Sequence, residues 1–150
     1  MRALVQRVSG AAVAVDGSER ARIGRGLLVL LGVEAGDGDE DLDWLCGKVH
    51  RLRIFPDERG RMSLALPDIA GEALVISQFT LLASTAQGNR PDFLRAEKPE
   101  RARQLYEAFA LRLAGLLGRP VPTGVFAADM AVSLVNDGPV TIAIDSRRRE

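Results

Sequence analysis

The sequence predicts an α+β fold, a curved mixed or antiparallel β-sheet or barrel with two main helices packed outside it. Three observations carry this expectation. Nine or so segments read as strands, only two stretches show helical periodicity, and residues 1–150 contain no repeat, linker or second composition. A single domain of this length buries about 68 to 70% of the surface its unfolded chain exposes, so a full core is possible without disulfides.

Apolar and β-branched residues alternate through Leu4 to Val8 and again through Ala11 to Val15, followed by an Asp16-Gly17 turn. This predicts consecutive strands and an opening hairpin. Arg20 to Gly24 is a further strand, and Leu27 to Val33 is apolar on both faces, as a central strand buried on both sides would be. From Asp39 to Arg53 the period changes: Leu42, Leu45, Cys46, Val49 and Leu52 recur at helical spacing behind an acidic first turn that suits the helix dipole. The turn-rich Phe55-Pro56-Asp57-Glu58-Arg59-Gly60 leads into a short strand at Met62 to Leu66. Ala73 to Phe79 is a stronger strand, with Leu74, Val75 and Ile76 as its core run. Ala83 to Lys98 breaks into Ser, Thr, Gly, Asn and Pro, a loop of a length that suggests function. Pro99 suits the first position of a second helix, whose apolar face runs through Ala102, Leu105, Tyr106, Phe109, Leu113, Leu116 and Leu117 to Gly118. Val121 to Ile144 alternates again, as two strands parted by an Asn136-Asp137-Gly138-Pro139 corner.

Twenty Lys plus Arg against twenty Asp plus Glu leave no net charge, so any RNA contact has to be local. The closing Arg147-Arg148-Arg149 reads as a solvated charge run with no assigned role. The one cysteine, Cys46, excludes an internal disulfide. Charge interrupts Met1-Arg2-Ala3-Leu4-Val5-Gln6-Arg7 before a signal-like stretch builds, so a reduced, cytoplasmic protein is expected. The longest apolar run, Leu27 to Leu31, falls far short of the roughly 20 residues that span a bilayer, and no membrane partner is expected.

Ser-His-Asp and Cys-His machinery both need a histidine, and the only one is His50, in the polar half of the first helix beside Lys48 and Arg51. Cys46 falls on the apolar face as a small core residue. Zinc would want several His or Cys ligands, and the acids Asp37, Asp39, Glu40, Asp41 and Asp43 lack EF-hand spacing, so no metal and no cofactor is predicted. Gly24-Arg25-Gly26 and Gly36-Asp37-Gly38 lack the residues that complete a phosphate-binding loop and read as turns. What remains is a mechanism in which backbone N–H groups polarise a carbonyl and water or the substrate attacks. The end of the Ala73 to Phe79 strand suits it, with N–H groups leaving the sheet and Ser77 and Thr80 as nearby hydroxyls. Alone, Ser77-Gln78-Phe79-Thr80 is an ordinary strand end. Asn136-Asp137-Gly138-Pro139 is likewise an ordinary turn, its Gly-Pro bond trans by default because only about 5–6% of folded X-Pro bonds are cis.

Together, Ser77-Gln78-Phe79-Thr80-Leu81 and Asn136-Asp137-Gly138-Pro139-Val140-Thr141 resemble the paired signature of the D-aminoacyl-tRNA deacylases. The resemblance extends to the opening Met1 to Val8, to Gly88-Asn89-Arg90-Pro91-Asp92-Phe93 and to Ala128 to Asn136. It departs at Ala127, where the family commonly has glycine. The resemblance implies hydrolysis of the ester joining a D-amino acid to the terminal adenosine of tRNA, with glycyl esters as a second substrate. It implies a homodimer in which Gly138 and Pro139, joined by a cis bond, enter the partner's active site and exclude L side chains, while Arg7 holds that corner. It places Ser77, Gln78, Phe79 and Thr80 at the catalytic pocket, with Thr80 positional because no base activates it. Gly88, Asn89, Arg90, Pro91 and Phe93 would grip the adenosine, and Met130 and Asn136 would complete the substrate site. Aminoacyl-tRNA is then the partner, with no DNA and no membrane.

Two other functions remain open on the residues alone: a non-catalytic RNA-binding module and a structural dimer with an inert pocket. Balanced charge and few aromatics, five Phe, one Trp and one Tyr, weigh against the first.

Overall fold

In the computed structural model, which describes residues 1–149, the first strand β1 (Arg2–Val15) runs unbroken through the two segments read as separate strands. The hydrophobic phase changes between them because the strand bulges: Val8 pairs with Asn136 but Gly10 with Val135. Before the bulge Ala3 and Val5 face one core and Val8, on the opposite face of the strand, another; beyond it the odd-numbered Ala11 and Val13 face the same core as Val8.

β2 (Ser18–Ile23) and β3 (Gly26–Gly32) follow one another antiparallel along one edge of β1. β3 is central, as its doubly apolar pattern predicts, because β6 (Glu72–Ser77) pairs with it in parallel on its other side. Gly26 permits that pairing: a Cβ there would sit 1.8 Å from the Glu72 carbonyl oxygen. Between them lie α1 (Asp39–Arg51), β4 (Phe55–Pro56) and β5 (Met62–Leu64). α1 stops two residues before the predicted Arg53, since Leu52 takes an extended backbone (φ −65°, ψ 116°) while its side chain still packs on the core. The turn-rich stretch is itself a small hairpin, β4 pairing with β5, and Asp57 accepts the Arg59 and Arg61 N–H groups at 2.9 Å.

α2 (Pro99–Leu117) begins on its proline and ends at Gly118, which adopts the left-handed conformation (φ 65°) that glycine takes without penalty. Leu105, Tyr106, Phe109 and Leu113 are buried, and Cys46 of α1 donates its thiol to the Phe109 carbonyl at 3.4 Å. Leu116, expected on the apolar face, is 43% exposed, because the last turn overhangs the core along with Gly115 and Gly118.

The largest departure is at the end of the chain. β7 (Ala131–Asp145) is one strand, antiparallel to β1 along its second edge, and not two strands around a hairpin corner. Gln6 pairs with Thr141 and Val8 with Asn136, so residues 137–140 loop out opposite Arg7 alone. The result is a five-stranded, curled mixed sheet with both helices on one face. Among the described residues seven strands replace the nine or so predicted, because continuous strands with bulges look like pairs of strands in the sequence. Among the described residues no helix is long and apolar enough to cross a membrane.

Candidate active site

Where β6 ends, the chain must leave the sheet. The Gln78 N–H makes a last ladder-like bond to the Leu31 carbonyl at 2.8 Å, and Phe79–Leu82 wind into a one-turn 3-10 helix. The predicted strand therefore ends at Ser77, two residues short of Phe79. Gly32 makes room for the turn, because a Cβ there would lie 2.5 Å from the Leu82 side chain. The first N–H groups of a helix have no acceptor within it, and here these belong to Phe79 and Thr80.

A cleft of about 680 Å³ opens at this strand end, with Ser77, Gln78 and Phe79 on one side and Phe93, Glu97 and Lys98 on another. Residues 126–130 supply a further wall, brought there because the preceding segment zips onto the free edge of β6. Val75 donates to the Pro122 carbonyl at 3.1 Å and accepts the Gly124 N–H at 3.2 Å and the buried Tyr106 hydroxyl at 3.0 Å. Phe79 is 56% exposed, and its ring meets Phe93 edge-on, 4.9 Å between centroids and 71° between planes. The Gln78 side-chain amide donates to the Thr80 hydroxyl.

Three charged side chains line the cleft: Glu97, Lys98 and Asp129. The Lys98 and Gly36 N–H groups, at 2.7 and 3.2 Å, hold the Glu97 carboxyl below its ordinary range. No histidine or cysteine is in the lining. His50 lies half-buried on α1, and burial pushes the Cys46 thiol up to about 12, so it carries no thiolate at neutral pH. The chemical resources at the cleft are hydroxyls, amides, an aromatic pair and the charged side chains of Glu97, Lys98 and Asp129.

The β7 bulge is a second constellation. Arg7 is 9% exposed on a strand paired along both edges, not an edge-strand surface charge. Its guanidinium donates to the Asp137 carbonyl at 2.9 Å and the Ile54 carbonyl at 2.6 Å, and meets the Asp137 carboxylate at 3.3 Å. Asn136 spans the base of the bulge, accepting the Val140 N–H at 2.9 Å and donating to Thr141 at 2.8 Å. The Gly138-Pro139 bond is cis, and Gly138 has φ 124° with the Arg7 guanidinium 2.5 Å from where a Cβ would be.

The structure thus brings Ser77, Gln78, Phe79, Phe93 and Met130 into one cleft, with Thr80 beside it. Gly88, Asn89, Arg90 and Pro91 form an exposed loop tip beyond the Ser84–Asp92 backbone pair and do not line it. Arg7, Asn136, Gly138 and Pro139 belong to the bulge and do not line it either. Sequence reasoning missed Glu97, Phe126 and Asp129. Ala127, flagged as a departure, has φ 62°, the left-handed backbone that glycine adopts most easily.

The curled mixed sheet with its strand-end cleft has a counterpart among solved structures. A solved structure titled "Structural Analysis of a probable eukaryotic D-amino acid tRNA deacylase" matches 95% of this chain and 97% of that one with TM-score 0.81, a likeness at 17% identity that shows the fold alone. The family described as D-Tyr-tRNA(Tyr) deacylase matches residues 4–145, and the chain belongs to that family. It is 58% identical to the D-aminoacyl-tRNA deacylase of Opitutus terrae over 150 residues, the whole of both chains. It is also similar to a solved structure titled "c-Myc DNA Unwinding Element Binding Protein", at 40% identity and TM-score 0.91 over 97% of this chain and 98% of that one. The activity is that of a D-aminoacyl-tRNA deacylase, a hydrolase whose substrate is aminoacyl-tRNA.

Proposed function

We propose that residues 1–150 act as one deacylase domain in a cytoplasmic homodimer, in which the Gly138-Pro139 bulge of one copy completes the ester-binding cleft of the other. The observation that carries this reading is the separation of the two constellations. The bulge is fastened by a nearly buried arginine, yet it lines no part of its own chain's cleft. A rigid, exposed main-chain corner with nothing to do in its own subunit suits selection in a second one.

In this reading the aminoacyl ester lies at Ser77 to Thr80, its carbonyl oxygen facing the N–H groups of Phe79 and Thr80, and the adenosine packs against Phe79 and Phe93. Gln78 contacts the amino acid, Met130 lines its pocket, and the Gly88 to Pro91 tip folds over the RNA end. Asn136 acts by bracing the bulge. Water adds to the carbonyl carbon, the bond to the ribose oxygen breaks, and that oxygen takes up a proton. The neighbouring ribose 2′-hydroxyl assists, since the cleft offers no histidine. The bulge carbonyls of the second copy stand close to the α-carbon, admitting hydrogen and clashing with an L side chain. Glycine has no side chain to exclude, so its esters are also cleaved.

The test is hydrolysis of matched D-tyrosyl-, L-tyrosyl- and glycyl-tRNA. D-tyrosyl and glycyl esters are expected to be cleaved and L-tyrosyl spared. Equal rates on the two tyrosyl esters, or no turnover, would sink the reading.

A further inference from the structure

A second cleft, of about 530 Å³, shares the Phe79–Leu82 turn with the first: Phe79 lines one and Leu81 the other. Arg2 ties it to that turn, donating to the Leu81 carbonyl at 3.1 Å. Its walls are α1, through Trp44 and Lys48, the residue Leu52 that follows it, and the end of β7 around Ile142 and Ile144. Four charged residues line it, and three are cationic: Arg2, Lys48 and Arg148. The one acid, Asp145, is already engaged by Arg2 at 2.9 Å. Among the described residues neither Lys48 nor Arg148 has a carboxylate within ion-pair distance.

The neighbours of Arg148 are otherwise occupied. Arg147 lies 3.0 Å from Asp37, and Arg149 lies 3.2 Å from Glu40 with its guanidinium 4.9 Å from the Trp44 ring centre. The Lys48 ammonium approaches the same ring at 5.3 Å. Two cations with no carboxylate partner among the described residues, an aromatic ring with positive charges against it and an apolar wall are the elements that take a single-stranded nucleotide, phosphate to the cations and base to the ring. With zero net charge on the chain, this local concentration of positive charge is not a consequence of general basicity.

We propose that this second cleft holds the unpaired acceptor strand of the substrate tRNA, just before the terminal adenosine, with Lys48 and Arg148 on phosphate and Trp44 beside a base. The proposal rests on the deacylase reading for the position of the RNA end. It gives the tRNA a path over the Phe79–Leu82 turn from one cleft to the other.

Trp44 is the only tryptophan of the chain, so its emission reports occupancy directly. Titration with uncharged tRNA changes that emission, and Lys48→Glu and Arg148→Glu each weaken tRNA binding about ten-fold or more. Each also makes the fall of log affinity with log salt shallower, by about 0.7 in slope for every phosphate that is no longer neutralised. Hydrolysis of a D-aminoacyl-adenosine ester, which ends before this cleft, stays at the wild-type level in both variants. Lys48→Ala and Arg148→Ala serve in place of a reversal that fails to fold, and Lys48→Arg retains binding. Unchanged tRNA affinity in the variants, or unaltered Trp44 emission at saturating tRNA, overturns the proposal. So does a shift from dimer to monomer in sedimentation with tRNA affinity intact, which would assign the cleft to a second copy. Absence of wild-type turnover on D-esters would sink the deacylase reading, whereas tRNA affinity still decides the cleft.

Discussion

Arg7 brings a full charge to a nearly buried position, and two carbonyls with one carboxylate compensate it. Lysine keeps the charge but is a single point that cannot bridge the Asp137 and Ile54 carbonyls together. Arg7→Lys should therefore cost about 1–3 kcal/mol in thermal or denaturant melts. It should also lower kcat/KM on D-aminoacyl-tRNA, and a variant with wild-type kinetics would remove Arg7 from the selection device. Thr80 is a hydroxyl beside the cleft and so a candidate nucleophile. Its hydroxyl already accepts from Gln78, and no base stands beside it. Thr80→Ala should keep kcat within about ten-fold of wild type, against the roughly million-fold loss that follows removal of a true nucleophile. At Ala127, in the cleft wall, the left-handed backbone strains the Cβ. Ala127→Gly should raise stability by about 1 kcal/mol, read as a higher Tm, and a lower Tm would show that chain entropy outweighs the strain.

At the scale of elements, β1 and β7 matter most, because the two strands are paired along nearly their whole length and both bulge near Arg7. The bulge residues 137–140 are thereby fixed at both ends by regular sheet. Charge ties the two strands together at the end of the pair where β1 begins and β7 finishes. Asp145 meets Arg2 at 2.9 Å, and Asp41 accepts the Ser146 hydroxyl at 2.7 Å. Burial raises both carboxyls, yet hydrogen bonds from Ser146 and Gly38 to Asp41, and from Arg147 and Arg2 to Asp145, leave both below the ordinary carboxylate range. A carboxyl depressed in the folded state stabilises above its unfolded pKa, and that contribution disappears as pH falls through the folded value. Tm should hold near neutrality and fall once pH drops past about 4. Asp145→Asn should flatten the acid side of the curve, and an identical curve would exclude this junction as a source of acid sensitivity. Both helices and the central strand were legible in the sequence because their periodicity is long. The strand count was not, since a bulge shifts the phase of the pattern just as a strand end does.

For the molecule as a whole, the division between cleft and bulge makes a prediction that one subunit cannot satisfy. A cleft variant such as Phe79→Ala and a bulge variant such as Pro139→Ala are each expected to be inactive on D-aminoacyl-tRNA. Mixed and allowed to exchange subunits, half of the dimers are mixed and each has one intact site. The mixture should therefore regain about a quarter of wild-type activity if the interface is two-fold symmetric. No recovery after verified exchange would place both elements in the service of one chain.

The sequence by itself determined the α+β class, the central strand, the two helices and the two short segments whose pairing marks the family. These are local patterns, written in hydrophobic period, turn residues and motif identity. Only the tertiary structure decided that Ser77 to Phe79 meet Phe93 and residues 126–130 in a cleft, and that Asn136 to Pro139 form a bulge on one strand, not the corner of a hairpin. Arg7 shows the reason most plainly. It is one charge in an alternating strand until Ile54 and Asp137, 47 and 130 residues away, bring their carbonyls to it. Contacts at such separations are set by how strands register and curl, and no window of sequence contains both partners.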